Sequence, residues 1–91
     1  MNKNTKNISA QHRLNSLLAR VLDEDVDSIT DESSPDTLQN WDSFNGLVLV
    51  DELEKEFSVQ FTLDEILDVK TVADIKRHLK NHGVWNDTQL E

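Results

Sequence analysis

Four stretches of the sequence carry apolar residues at spacings of three and four, which is the repeat of one face of an α-helix. No stretch shows the sustained alternation of apolar and polar residues that is typical of a half-buried strand. A chain of 91 residues buries roughly 60 to 65% of its unfolded surface, around one core. We therefore expect an all-α, single-domain bundle of four helices.

The first two predicted helices are long and are separated by a long loop. The first runs from about Ser9 to Leu22, and the second starts after Asp42, a favourable N-cap residue. Their apolar residues are Leu14, Leu17, Leu18 and Val21 in the first, and Phe44, Leu47, Val50, Leu53 and Phe57 in the second. The loop from Asp23 to Trp41 contains the only proline. Because a long loop in a small domain needs anchors, we expect Val26, Ile29 and Leu38 to fix it to the core.

Two capping-box patterns predict the starts of the remaining helices. In "TLDE", at 62–65, and "TVAD", at 71–74, a threonine is followed three residues later by an acid that can return its hydrogen bond. The apolar residues of these helices are Ile66 and Val69 in the short third one, and Val72, Ile75 and Leu79 in the fourth. Gly83 is a typical helix end. We expect a domain at 9–83, with flexible tails at 1–8 and 84–91.

Several classes of protein are excluded by composition. The chain has no cysteine, so it has no disulfide, no thiolate nucleophile and no cysteine metal site. It also lacks the ~20 consecutive apolar residues of a membrane span. We predict a cytoplasmic monomer that does not insert into membranes.

The charge is acidic and unevenly distributed. There are 18 acidic residues against 9 basic ones, and Lys55 is the only base among the fifteen acids between Asp23 and Asp68. Binding to nucleic acid requires the opposite sign, because it depends on lysine and arginine releasing counterions from phosphates. We therefore expect no nucleic-acid partner, and basic protein surfaces are the natural partners of the acidic half.

Ser43 is the clearest candidate for a residue with a chemical role. If Asp42 caps the second helix, the Ser43 hydroxyl lies beside unpaired backbone N–H groups at the positive end of the helix dipole, where a phosphate is stabilised. No base adjacent in sequence could activate it as a catalytic nucleophile. A covalent role would need another enzyme, and the simpler interpretation is that Ser43 only favours the helix start.

The surrounding motifs favour the covalent role. "WDSFNGLVLVDELEKEFSVQF" and "LDEILDVKTVADIKRHL" resemble the acyl carrier protein family over about Leu14 to Leu79. The matching features are an Asp-Ser-Leu-like triplet at 42–44, a Leu-Glu-x-x-Phe-like helix end at 53–57, a short third helix and a Thr-Val-x-Asp-like start at 71–74. The triplet alone is weak evidence, whereas four features in this order are strong evidence.

The resemblance implies a non-catalytic carrier with a bundle of acyl-carrier type. A phosphopantetheinyl transferase would attach 4′-phosphopantetheine from coenzyme A to Ser43, with Asp42 helping to position the serine and the enzyme's magnesium. Acyl groups would be carried as thioesters, supplied by an acyl-activating ligase or acyltransferase and used by a ketosynthase or another acyl-processing enzyme. The resemblance also places an acyl pocket between the second and third helices, lined by Leu47, Val50, Ile66 and Val69.

The sequence departs from the fatty-acid-synthesis members of the family near Ser43. Those members have acidic residues just after the serine, where this chain has Asn45 and Val48. Phe44, Val48 and Asp51 form one helical stripe, apolar near the serine and acidic farther along. If exposed, the stripe would bind partners of a specialised pathway, such as polyketide, modified-lipid or secondary-metabolite synthesis. Periodicity equally allows Phe44 to point into the core.

Other functions remain open. Peptidyl carriers usually have a Gly-Gly-His/Asp-Ser-like lead into the serine, whereas "QNWDS" at 39–43 favours an acyl cargo without identifying it. The acids of "DEDVDSITDESS" at 23–34 follow the spacing of a calcium loop, but serines replace its turn glycine and its last glutamate. His78 and His82 lack a third zinc ligand nearby and suit a helix C-terminus better. An unmodified helical interaction module would have the same fold and no use for Ser43.

Overall fold

The computed structural model describes residues 9–85 and contains four α-helices in this range. They are α1 (Ala10–Leu22), α2 (Ser43–Phe57), α3 (Leu63–Asp68) and α4 (Val72–Asn81). A short 3-10 turn lies at Val26–Ser28, and no strand occurs between residues 9 and 85. The prediction of an all-α bundle with a long first loop and a short third helix is confirmed.

Each helix starts at a side-chain cap. Ser9, Asp42, Thr62 and Thr71 accept hydrogen bonds from backbone N–H groups in the first turns of α1, α2, α3 and α4. At Thr62 and Thr71 the acid three residues later returns the bond, so both predicted capping boxes are present. Gly83 follows α4 with φ 76°, in the left-handed region that glycine adopts without strain.

The core is built from α1, α2, α4 and the long loop. Its buried apolar residues are Ala10, Leu14, Leu17, Leu18, Leu22, Ile29, Leu38, Trp41, Leu49, Leu53, Phe57, Val72, Ile75 and Leu79. α3 contributes no buried residue. The two long helices are also joined by ion pairs, from Arg13 to Glu56 at 2.9 Å and from Arg20 to Glu52 at 3.5 Å.

The apolar residues of α2 serve two different surfaces. Leu49, Leu53 and Phe57 face the core, whereas Phe44 and Leu47 are 72% and 65% exposed. Because α2 is apolar over much of its circumference, helical periodicity predicts the helix but does not identify which side is buried.

The long loop is fixed by its own apolar residues and by α4. Ile29 and Leu38 are buried as predicted, but Val26 is 43% exposed. The expectation that Val26 anchors the loop is therefore wrong, because this residue lies in the 3-10 turn at the surface. Backbone N–H groups of Val72 and Ala73 donate to carbonyl groups of loop residues 33 and 31, both at 3.0 Å. The loop thus supplies acceptors for the first turn of α4, where N–H groups have no partner within the helix.

The packed part of the chain extends two residues beyond Gly83. Val84 and Trp85 are half-buried and contact the core, so these two positions differ from the predicted flexible tail. Residues 1–8 and 86–91, the other positions of the two predicted tails, lie outside the described residues. In the described range, no helix has the length and hydrophobicity needed to cross a membrane.

Candidate functional site

Ser43 is the first residue of α2 and is exposed. Asp42, also exposed, precedes it in an extended conformation, and Asp42 Oδ1 accepts from the backbone N–H of Asn45 at 2.9 Å. The N–H groups of Ser43 and Phe44 have no acceptor within residues 9–85. The predicted arrangement is therefore present: an accessible hydroxyl stands beside free backbone donors at the positive end of a long helix.

Hydrogen bonds through two asparagines hold the start of α2 in place. Asn45 Nδ2 donates to the carbonyl oxygen of Asn40 at 2.7 Å, and Asn40 Nδ2 donates to the carbonyl oxygen of Leu22 at 2.9 Å. Trp41, between them, is buried in the core. The position of Ser43 is thus determined by the end of α1 and by the core, and not by α2 alone.

A cleft of about 370 Å³ opens next to Ser43, between α2, α3 and α4. Its walls are largely apolar, and its lining residues are Trp41, Ser43, Gly46, Leu47, Leu49, Val50, Leu53, Phe61, Glu65, Ile66, Val69, Ile75 and His78. All four residues predicted to line a pocket, Leu47, Val50, Ile66 and Val69, lie on this surface. A volume of this size is at the lower end of the range for small-molecule sites.

Polar side chains join α3 to α4 across one end of the cleft. His82 Nε2 lies 2.9 Å from Glu65 Oε2, and His78 Nε2 lies 2.9 Å from Asp68 Oδ2. Arg77 also bonds to Asp68, at 2.7 Å. Both histidines therefore bind acids of α3, and do not merely decorate the end of α4 as the sequence suggested.

These contacts lower the pKa values of the acids that take part. The backbone N–H of Thr62 and then the His82 side chain lower the pKa of Glu65. Hydrogen bonds from Arg77 and His78 lower the pKa of Asp68. Both carboxylates are consequently ionised at neutral pH and only accept hydrogen bonds.

His78 is one of the lining residues that the sequence analysis did not place in the site. It is 7% exposed and lines the cleft together with Glu65. A usable signal was its spacing of three residues from the core residue Ile75 and its position next to Leu79, which puts it on the inner face of the helix. Its contact with Asp68 depends on how α3 packs, which the sequence pattern does not reveal.

The predicted partner stripe lies largely at the surface. Phe44 is exposed, Val48 is half-buried, and Asp51 is exposed and pairs with Lys55 at 3.1 Å. Periodicity allowed Phe44 to point either to the surface or into the core, and in the structure it points to the surface. Leu63 and Leu67 of α3 add further exposed apolar side chains, at 68% and 64%.

No group of three or more histidine or acidic side chains between residues 9 and 85 is arranged to hold a metal ion. The acidic stretch that follows the spacing of a calcium loop has a different local structure. Asp23 ends α1 in a left-handed conformation, with φ 55°, and residues 26–28 form the 3-10 turn.

A family model described as "phosphopantetheine attachment site" matches residues 12–79, from the first turn of α1 to Leu79 in α4. The chain belongs to the phosphopantetheine-binding carrier family. This family carries a covalently attached 4′-phosphopantetheine, and its carrier domains are generally not catalytic.

A solved structure supports the fold of this carrier. A protein of Mycobacterium tuberculosis, described as a candidate acyl carrier protein, superimposes with a TM-score of 0.73 and 24% sequence identity. The match covers 81% of this chain and 99% of the other. Among curated proteins, no relative matches the carrier.

Proposed function

We propose that Ser43 is the attachment site of the phosphopantetheine arm, and that the protein carries acyl groups as thioesters on it. The observation that carries this proposal is the position of the exposed Ser43 hydroxyl at the start of α2 and at the edge of the cleft. Attachment would form a bond from Ser43 Oγ to the phosphorus of coenzyme A. Adenosine 3′,5′-bisphosphate would leave, and the hydroxyl proton would pass to a phosphopantetheinyl transferase.

The start of α2 fits the phosphate of such an arm. The free N–H groups of Ser43 and Phe44 and the helix dipole favour a negative charge. The Asp42 carboxylate is occupied by its bond to the Asn45 N–H through one oxygen. Its other oxygen would be available to the magnesium ion of the transferase.

The cleft supports the assignment of an acyl cargo. The arm would supply a terminal thiol, which the cysteine-free chain lacks. Leu47, Val50, Ile66 and Val69 would contact the acyl chain, because together they make a largely apolar surface beside the attachment residue. Burial of an apolar chain there would be favourable by about 0.8 kcal/mol per methylene group.

The surface next to Ser43 supports a pathway other than housekeeping fatty-acid synthesis. Phe44 and Val48 would make apolar contacts with an acyl-loading ligase or acyltransferase and with a ketosynthase or other processing enzyme. Asp51 would contribute at the polar rim of the interface, where charges affect association rates more than affinity. We place the carrier in the cytoplasm, in a polyketide, modified-lipid or secondary-metabolite pathway.

Intact mass spectrometry tests the attachment. The protein would be incubated with coenzyme A, Mg²⁺ and a broad-specificity phosphopantetheinyl transferase, next to Ser43→Ala and the control Ser16→Ala, which removes an exposed serine from α1. We expect the parent and Ser16→Ala to gain one phosphopantetheine, and Ser43→Ala to gain none.

The same experiment separates the alternatives. If the folded parent gains no mass while a known carrier is modified in the same tube, the protein is an unmodified interaction module. If the modified protein accepts amino acids and not acyl groups from purified loading enzymes, it is a peptidyl or aminoacyl carrier.

A further inference from the structure

Apart from Ser43 at its edge, the largely apolar cleft has polar side chains where His78 of α4 faces Glu65 of α3. The His78 side chain is only 9% exposed. Its Nδ1 atom is shielded from solvent and has no hydrogen-bond partner in the part of the chain that the structure describes. Buried polar atoms are nearly always paired, so this nitrogen needs an explanation.

The hydrogen-bonding state of His78 follows from its neighbours. Its Nε2 lies 2.9 Å from the ionised Asp68 carboxylate, which only accepts, so Nε2 carries a proton. In the neutral ring, Nδ1 is then an acceptor. It faces Glu65 Oε2, a second acceptor, at 3.7 Å, which is too long for a hydrogen bond. With the ring neutral, two acceptors therefore face each other with no donor between them.

We propose that His78 Nδ1 accepts a hydrogen bond from a hydroxyl group on the acyl chain, so that the cleft selects hydroxyacyl cargo over unsubstituted chains. The inference rests on the proposed function, since it requires a cargo attached beside the cleft. A hydroxyl group has one donor hydrogen, which it can give to Nδ1, because this atom lacks a partner whereas Glu65 Oε2 already accepts from His82 at 2.9 Å. An ammonium group is also a donor, but its desolvation is far more costly, and the nearby Glu65 carboxylate that could pair with it is already bound to His82.

Access to Nδ1 requires a local movement of α3, because this atom is shielded in the structure. α3 buries none of its residues, and its ties to α4 include the polar contacts of Asp68 with His78 and Arg77 and of Glu65 with His82. A small outward shift of α3 therefore leaves the packed core of α1, α2 and α4 intact.

The probes are octanoyl-coenzyme A, three hydroxyoctanoyl forms with the hydroxyl at successive odd carbons, and one amino-octanoyl form. Each would be attached with Mg²⁺ and the transferase, and attachment would be confirmed by mass. Two properties would be measured: the rate at which hydroxylamine cleaves the thioester, and the ¹⁵N chemical shift of His78 Nδ1. We expect one hydroxyoctanoyl form to be cleaved roughly fivefold more slowly than octanoyl, as one added neutral hydrogen bond allows. The same form should shift the Nδ1 resonance.

Two substitutions separate the Nδ1 acceptor from the structural role of His78. His78→Gln keeps a donor near the Nε2 position, facing Asp68, but removes the acceptor at Nδ1. His78→Asn keeps an acceptor near Nδ1 but loses the contact with Asp68. We expect His78→Gln to abolish the preference for the hydroxyl chain and His78→Asn to retain part of it. Circular dichroism would confirm folding, and if either variant unfolds, the comparison of chains on the parent protein still decides.

Each other outcome has a definite meaning. Attachment of every chain with equal cleavage rates and an unmoved Nδ1 resonance would overturn the hydroxyl site and leave the carrier function standing. Slower cleavage of the amino form than of any hydroxy form would overturn it in favour of an aminoacyl cargo. Failure of every chain to attach would instead overturn the proposed function.

Discussion

The Asp42 carboxylate accepts a hydrogen bond from the Asn45 backbone N–H at 2.9 Å, so the residue before Ser43 fixes the first turn of α2. We predict that Asp42→Ala lowers the free energy of unfolding by about 1 kcal/mol, as the loss of an N-cap usually does. Asp42→Asn retains the capping oxygen and should change stability by less than about 0.5 kcal/mol. Urea unfolding followed by circular dichroism measures both.

The same pair of variants tests the charge of Asp42 in arm attachment. We predict that Asp42→Asn attaches the arm more slowly than the parent, because the amide binds Mg²⁺ less well than the carboxylate. The check is the initial rate of mass gain at limiting Mg²⁺. An unchanged rate would restrict Asp42 to its capping role.

Substitutions on the exposed apolar side of α2 should impair the reaction with partner enzymes without impairing folding. Phe44 is 72% exposed, so Phe44→Ala should change the free energy of unfolding by no more than about 0.5 kcal/mol. Val48→Glu should likewise keep the helicity of α2. Both should slow acyl transfer by the loading enzyme of the pathway by roughly fivefold or more, the effect of losing an apolar anchor of about 1 kcal/mol. Val26→Ala removes an exposed apolar side chain from the loop and serves as the control, and equal rates in all four proteins would contradict the interface.

Acid should weaken the polar contacts between α3 and α4. The pKa values of Glu65, Asp68 and Asp74 are lowered by folding, from ordinary values of 4.5, 3.8 and 3.8. Groups with depressed pKa values stabilise the fold fully above their unfolded values, and this stabilisation is lost as the pH falls through the folded values. We predict that their contribution to the free energy of unfolding is constant from neutral pH to about pH 5 and declines below about pH 4.5.

Removal of a shared cation tests the origin of this acid dependence. Arg77 bonds to Asp68 at 2.7 Å and to Asp74 at 3.1 Å. Arg77→Gln should therefore make the decline of the unfolding free energy below pH 4.5 shallower. Lys55→Gln, which removes the partner of Asp51 at the surface of α2, is the matched control. A decline equally steep in Arg77→Gln and the parent would show that other carboxylates dominate.

Two leucine-to-alanine substitutions distinguish the contribution of the core from that of α3. Leu18 is 0% exposed and Leu63 is 68% exposed. Leu18→Ala should lower the free energy of unfolding by about 2 to 5 kcal/mol, because it leaves a cavity in the core. Leu63→Ala should change it by no more than about 0.5 kcal/mol. Similar losses in both variants, measured in urea, would place α3 in the core and contradict the packing described above.

Gly46 offers a stabilising substitution. It lies inside α2, and an added Cβ would meet Trp41 Nε1 at 3.9 Å, an ordinary contact. Gly46→Ala should raise the free energy of unfolding by roughly 0.5 to 1 kcal/mol, since glycine is a poor helix former. A thermal unfolding temperature below that of the parent would instead show that the methyl group disturbs Trp41.

The helices were predictable because their signals are local. The Thr62 and Thr71 capping boxes and the Asp42 cap depend on residues three positions apart, and all three form as the sequence indicates. The long loop was harder, since Val26 and Ile29 have similar hydrophobicity but only Ile29 packs against the core. The difference between them depends on the direction of the chain after α1, which no local pattern encodes.

The position of the cleft was predictable from the sequence, but its polar side chains were not. Ser43 and the four predicted pocket residues share one cleft, because the helix start and the apolar spacing are both written in the sequence. The sequence did not predict that His78 faces Glu65, because this contact joins residues of two helices and depends on how α3 packs against α4. The sequence also does not indicate which side of α2 faces the core, because this depends on how the helices pack together.

The absence of buried residues in α3 has a thermodynamic consequence. Displacement of this helix removes little apolar surface from the core, so its free energy of opening should be much smaller than that of global unfolding. Amide hydrogen exchange should therefore be fastest in α3 among the four helices and should respond weakly to denaturant there. In this carrier, the overall stability and the ease of widening the cleft can be altered by different mutations, independently of each other.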